Sequence, residues 1–187
     1  MSINLVRAIN AVETSDELHL GRLLILLLAV DRKTSKPNAT VEGITKLAKL
    51  DFLLRYPNCL ERALVALNKD STLAKVESYE RTTIEAKMIR FKYGPWDTRY
   101  RRWISLLVSK GLVYAELRGR TVHIGLTANG QQVAAIFTRD DAYNHLFNRG
   151  QVIVKTFGNF SASRIKDFVY QVFPELETMK WGEEIVL

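Results

Sequence analysis

The sequence predicts an α+β fold, mainly helical, in which a helix-turn-helix is followed by a β-hairpin and a C-terminal helical extension. Three observations carry this expectation. Apolar residues recur at helical spacing through most of the chain, as in Leu20, Leu23, Leu24, Leu27 and Leu28. Two short alternating runs, Leu112 to Leu117 and Val122 to Leu126, flank Arg118-Gly119-Arg120, which is hairpin patterning. Two short helical stretches follow the first long one in close succession, the spacing of a helix-turn-helix.

In order along the chain, Ser15 or Asp16 can cap the first helix, which stops in the polar stretch Asp31 to Asn38, where Pro37 bars continuation. Thr40 is placed to cap a short second helix carrying Ile44, Leu47 and Ala48. Asp51 is placed to cap a third over Phe52, Leu53 and Leu54, ending before Pro57. Leu60, Ala63, Leu64 and Leu67 give a further helix after that proline. The polar stretch Asn68 to Thr83 reads as a loop or irregular insert. Met88 to Tyr93 alternates as a strand closed by Gly94-Pro95, and Asp97 or Thr98 caps the next helix, whose stripe is Tyr100, Trp103, Ile104, Leu107 and Val108. Gly111 suits the C′ position and Thr127 caps a helix running through Phe137. A stripe from Tyr143 through Phe157 and a last helix capped by Ser161 or Ser163 complete the chain. The expected organisation is a domain over 1–138 with an insert near 69–84, and a helical extension over 139–187 packed on it.

The 187 residues are 47% hydrophobic and 25% charged, an ordinary globular composition. The run Leu23 to Val30 is too short to cross a bilayer, so no membrane partner is expected. Met1 to Arg7 lacks the pattern of a signal peptide. One cysteine, Cys59, can form neither an internal disulfide nor a zinc site, and a cytoplasmic location is expected. The net charge of +7 is unevenly spread. Lys87 to Arg102 holds six basic residues against Asp97, a net of +5; Pro174 to Leu187 holds four glutamates against Lys180, a net of −3. A basic centre and an acidic tail suggest faces that meet different partners.

The most informative unit runs from Trp103 to Gly130. A helix ending in Lys110-Gly111-Leu112-Val113 leads into a hairpin with an Arg-Gly-Arg tip, then Leu126-Thr127-Ala128-Asn129-Gly130 opens the next helix. This resembles the wing of winged-helix proteins, which bind DNA, RNA or proteins. Arg118 and Arg120 at the tip are candidate nucleic-acid contacts, able to reach a phosphate or a minor groove. Lys46, Lys49 and Arg55 in the helix-turn-helix are candidates for phosphate contact. The segment Asp51-Phe52-Leu53-Leu54 is too apolar to read base edges, which favours a protein partner or plain core there. Arg90, Lys92, Arg99, Arg101 and Arg102 form a second candidate set, favoured for a partner's carboxylates or the chain's own acidic tail, with a phosphate-binding surface formed by the arginines at 99, 101 and 102 as the alternative. Tyr100 and Trp103 lie on the apolar stripe and read as core.

Catalytic and cofactor readings find little support. His19, His123 and His145 are isolated, Asp140-Asp141 reads as a helix cap, and neither a P-loop nor a dinucleotide-binding glycine pattern occurs. Cys59 lies near a helix start, which can lower a thiol pKa, but lacks a motif-level partner and reads as a small core residue. No catalytic residue, metal site or cofactor is expected.

Two further stretches extend the reading. Thr45-Lys46-Leu47-Ala48-Lys49-Leu50-Asp51-Phe52-Leu53-Leu54-Arg55-Tyr56-Pro57 is followed by Leu60-Glu61-Arg62; Arg90-Phe91-Lys92-Tyr93-Gly94-Pro95-Trp96-Asp97 is followed by Tyr100-Arg101. With the wing and the Phe173-Pro174-Glu175 ending, they resemble the middle component of the bacterial ABC three-component systems, among them the Lamassu anti-phage systems. The resemblance covers about residues 16 to 175. It implies a non-catalytic adaptor that links an SMC-like ABC ATPase to an effector, commonly a nuclease, in a complex that senses foreign DNA, with double-stranded DNA as a further, non-sequence-specific partner. Two alternatives stand beside it: a free-standing winged-helix transcription regulator, and an accessory winged-helix subunit of a chromosome-organising SMC complex.

Overall fold

Helix α1 (Asp16–Lys33) carries Asp16 and Glu17 in its first turn and Arg32 and Lys33 in its last, matching the helix dipole at both ends. Every residue from His19 to Ala29 is buried, so the helix is enclosed on all sides rather than laid on a surface. It belongs to a computed structural model that describes residues 15–33, 39–81 and 87–186. The readings at Met1 to Arg7, Pro37 and Thr83 lie outside these residues.

Strand β1 (Thr40–Glu42) follows, then α2 (Ile44–Arg55) and α3 (Pro57–Ala66). The two short helices expected over residues 44–54 are one continuous helix. Thr40 does not cap it, because Thr40 lies in β1 and Gly43 holds the N-cap position. Asp51 does not cap a helix either. It sits in the middle of α2, where its carboxylate is used by buried side chains from elsewhere in the chain. Pro57 occupies the first turn of α3, where a missing N–H costs nothing.

The insert expected near 69–84 contains two 3₁₀ turns, Ser71–Ala74 and Tyr79–Arg81. Arg149 clamps it: the guanidinium donates to the carbonyls of Ala74 and Lys75 at 3.0 Å each and to Glu80 at 2.8 Å. Next come β2 (Ile89–Phe91) and β3 (Gly94–Trp96), an antiparallel pair with Arg90 opposite Pro95. Gly94-Pro95 therefore begins the second strand of a hairpin instead of closing a single strand, and the turn is Lys92-Tyr93.

Helix α4 (Tyr100–Ser109) leads into β4 (Val113–Arg118) and β5 (Thr121–Leu126). Gly111 at φ +66° and Gly119 at φ +61° make the left-handed turns that the sequence assigns to them. The sheet order is β1-β5-β4, all antiparallel, with Val41 opposite Ile124 and Ala115 opposite the same residue. Thr127 caps α5 (Ala128–Phe137) by accepting from the Gly130 amide at 3.0 Å. Helices α6 (Asp141–Phe157), α7 (Ala162–Val172) and α8 (Glu175–Thr178) complete the chain; Ser161 caps α7 through the Arg164 amide at 3.1 Å.

The architecture is mainly helical with a small antiparallel sheet. One apolar cluster unites Leu23 and Leu26 of α1, Leu47 and Phe52 of α2, Phe157 of α6, Phe173, and Ile185 near the end. The helices beyond residue 139 share this core with the earlier elements. No helix among the described residues is long and apolar enough to cross a membrane.

Candidate functional site

Two of the candidate cations in α2 prove to be internal. Asp51 is fully buried, and its carboxylate accepts from Arg22 Nε at 2.7 Å, Arg55 Nε at 2.9 Å and the Tyr100 hydroxyl at 2.6 Å. Arg55 also reaches Asp97 at 3.0 Å and lies over the rings of Trp103 and Tyr100 at 5.4 and 5.7 Å. Asp97 is further held by Arg99 at 2.9 Å. Burial opposes ionisation of Asp51, but Arg22 and Arg55 outweigh it and hold the carboxyl well below the usual carboxylate range. Burial likewise lowers the Arg22 pKa, and Arg55 adds to that effect. This network joins α1, α2 and α4 and has no surface for a phosphate. Arg55 is therefore a structural residue, not a nucleic-acid contact.

Lys49 is also removed from solvent, at 0% exposure. Its ammonium donates to the Pro95 carbonyl at 2.9 Å, and burial pulls its pKa down to about 7. Lys46 is buried at 6% exposure and lies 3.9 Å from Glu42 one turn earlier. The physical reason is common to Arg55 and Lys49: helix α2 is packed by α6 and α7 and by β3, so these two positions face protein. Cys59 is buried too, and desolvation pushes its thiol up to about 12, the opposite of an activated cysteine.

The remaining candidates lie at or near the surface in two regions. Around the β4–β5 hairpin, Arg118 and Arg120 are exposed, with Arg118 paired to Glu116 on its own strand. Arg101 and Arg102 are exposed on α4, the helix that runs directly into this hairpin, and Arg102 meets Asp16 at 2.6 Å. Lys46 and Arg118 converge on a cleft of about 660 Å³ beside β1, together with Lys33 and His123.

The second region is the β2–β3 hairpin. Its outer edge is occupied by the chain's own acidic end: the Arg90 amide donates to Glu183 O, Gly182 N to Arg90 O and Ile185 N to Met88 O, each at 2.8 Å. Lys87 pairs with Glu184 at 3.1 Å, and buried Ile185 offers its carbonyl to the Tyr56 hydroxyl at 3.0 Å. The basic centre and acidic tail thus meet each other within the chain. Arg90 belongs to this junction, donating to Leu176 O at 3.1 Å between the rings of Tyr170 and Trp181. Lys92 is exposed, 5.4 Å from the Tyr93 ring centre, and Arg99 is half-buried against Asp97 and Trp103.

This pairing sets out a row of rings that sequence reasoning missed. Trp181, Phe91, Trp96, Tyr100 and Trp103 follow one another at centroid distances of 6.1, 6.3, 5.3 and 5.5 Å. The inner two are buried, as their stripe predicts, whereas Phe91, Tyr93 and Trp181 are 42%, 48% and 65% exposed. Lys49 and Arg101, from the two separate candidate sets, come together beside a cavity of about 180 Å³ lined by Phe91, Tyr93, Gly94 and Trp96. The available signal for this surface was Trp181, an aromatic on no helical stripe and next to a glycine.

Among the described residues, no group of three or more His, Cys, Asp or Glu side chains could hold a metal ion. No family model, curated protein or solved structure matches the chain.

Proposed function

We propose that the chain is a winged-helix adaptor that docks a protein partner through its β2–β3 surface, as a subunit linking an SMC-like ABC ATPase to an effector in a DNA-sensing defence complex. The observation that carries the docking role is the exposed group Phe91, Tyr93 and Trp181 together with Arg101, since aromatic residues and arginine are the types enriched at protein interfaces. The sheet order β1-β5-β4 supports the winged-helix reading, since the first strand lies beside the returning strand of the wing. On this reading α4, directly before the wing, stands in the recognition-helix position, and residues 57–99 are an insertion ahead of it. The assignment to the defence complex rests on the sequence resemblance given above.

The direct test is to look for an SMC-like ATPase gene next to this one and to co-express the two. The expected result is a complex that survives purification with the ATPase. If the chain alone instead bound one duplex sequence with a large specificity ratio over random DNA, the regulator reading would replace this one.

A second reading has its own observation. Arg101 and Arg102 on α4 and Arg118 and Arg120 on the wing are all exposed around the element that winged helices present to DNA. Helix α4 also exposes Ser105 and Val108, so Arg101 and Arg102 in its first turn carry the contact, on this reading to the DNA backbone.

A further inference from the structure

We propose that the 180 Å³ cavity between Phe91, Tyr93 and Trp96, rimmed by Arg101, is the anchor site for a partner segment that presents an aromatic or leucine side chain next to a carboxylate. This deepens the adaptor reading and rests on it for the biological role, not for the binding chemistry.

The cavity volume is that of one large side chain, and its walls are three aromatic residues brought together by the β2–β3 register and its two-residue turn. Among the described residues, Lys49 and Arg101 are the only charged side chains that line it, and no carboxylate does. Lys49 is fixed by Pro95 O and fully buried, so Arg101 carries the charge recognition. Arg101 is exposed and forms no ion pair among the described residues, which leaves its planar donor set available to a carboxylate. An arriving acid therefore gains a bidentate partner, while its neighbouring apolar group fills the aromatic hollow.

Charge also selects between a peptide and a nucleic acid. Across Tyr93 the surface continues into a groove of about 510 Å³ lined by Lys92 and Lys166, but equally by Asp167 and Glu177. Lys166 is already paired with Asp167 at 2.9 Å. A single strand of nucleic acid needs a continuous basic track beneath its phosphates. A peptide needs one local positive site, and that is what this surface provides.

The test uses the full chain labelled for NMR and three probes: N-acetyl-Phe-Asp-amide, N-acetyl-Phe-Lys-amide and a dT oligonucleotide. The acidic dipeptide should shift the Trp96 indole and the Phe91 to Arg101 amides saturably, in the millimolar range expected of so small a ligand. Arg101→Glu, at an exposed position, should weaken it at least several-fold, and Tyr93→Ala should do the same by opening one wall. No saturable shift, an equal response to the lysine dipeptide, or preferential binding of the oligonucleotide at this site would each overturn the proposal. Pull-down of the ATPase with the Arg101→Glu chain separates the two readings. A complex that forms with the wild type and persists in this variant keeps the adaptor reading and overturns the anchor site. If no complex forms even with the wild type, the adaptor reading fails, and dipeptide binding alone decides the cavity.

Discussion

The hydroxyl of Tyr100 donates a 2.6 Å hydrogen bond to the carboxylate of Asp51, across 49 residues of sequence and between helices α4 and α2. Tyr100 itself is fully buried, and burial raises its pKa well above the usual phenol value, so it remains a donor at every physiological pH. Arg22 donates to the other carboxylate oxygen and Arg55 to the same one as Tyr100, so both oxygens of the buried carboxylate are hydrogen-bonded.

Removing that carboxylate should be severe. Asp51→Asn leaves Arg22 and Arg55 buried without their counter-charge, and one-sided loss of a buried pair costs about 3–5 kcal/mol. Urea unfolding followed by circular dichroism is the measurement. The pH dependence has a definite sign. A carboxyl whose folded pKa is depressed contributes stability that is fully present above its unfolded pKa, near 3.8, and is lost as pH falls below it. The gap between wild type and Asp51→Asn should therefore be constant at neutral pH and narrow below about pH 4. A gap that instead opened in acid would contradict the network as described.

Lys49 predicts a slope of the same sign in a different pH window. Its folded pKa is lowered to about 7 from an unfolded value of 10.5, so above pH 7 the unfolded chain binds more protons and this residue makes stability rise with pH. Lys49→Met should remove that rise. The difference in Tm between wild type and variant should move in favour of the wild type from pH 7 to 8.5, a window below the titration of unfolded tyrosines. Parallel curves would show that Lys49 keeps an ordinary pKa.

Gly130 tests the junction between wing and helix. A Cβ at this position would lie 1.8 Å from the Leu112 carbonyl oxygen, so Gly130→Ala must displace backbone. A loss of several kcal/mol is expected, in the class of overpacking effects at rigid sites. Thr127→Ala, which removes both the cap to Gly130 and a 2.7 Å bond to Gly111 O, should cost about 1–2 kcal/mol. If Gly130→Ala were the milder of the two, the close approach to Leu112 would be wrong.

These residues also show which parts of the molecule were legible beforehand. Gly111 and Gly119 act within their own turns and Thr127 caps the helix that it precedes, and the sequence places all three where the structure has them. The stripe of α4 was equally clear, because burial of Tyr100 and Trp103 follows from spacing alone. Asp51, Arg55 and Lys49 were misread for one reason. A charged residue on an amphipathic pattern is usually solvated or capping, and only tertiary packing of α6, α7 and β3 around α2 makes it internal. The strand pairing of residues 182–185 with 88–90 was out of reach for a related reason. It joins segments nearly a hundred residues apart, and no local pattern encodes it. The opposite charges of the two segments were the visible trace, and they lead to contact within the chain instead of to separate partners.

The wing offers the remaining prediction, for the DNA reading. Each phosphate contact releases condensed counterions, so log K falls with log salt at a slope of about −0.9 per contact on duplex DNA. Arg120 is exposed at the hairpin tip, and Arg118 is exposed but shared with Glu116, so Arg120 should make the stronger contact. In a fluorescence-anisotropy salt series on random duplex, Arg120→Ala should flatten the slope by about 0.9, and the double variant with Arg118→Ala by at most about 1.8. Lys49→Met should leave the slope untouched, because its buried ammonium never reaches the phosphates. A slope unchanged by the wing variants but reduced by Arg101→Ala and Arg102→Ala would move the contact from the wing to the first turn of α4. A slope unchanged by all four would take DNA out of the account of this surface and leave it to the protein partner.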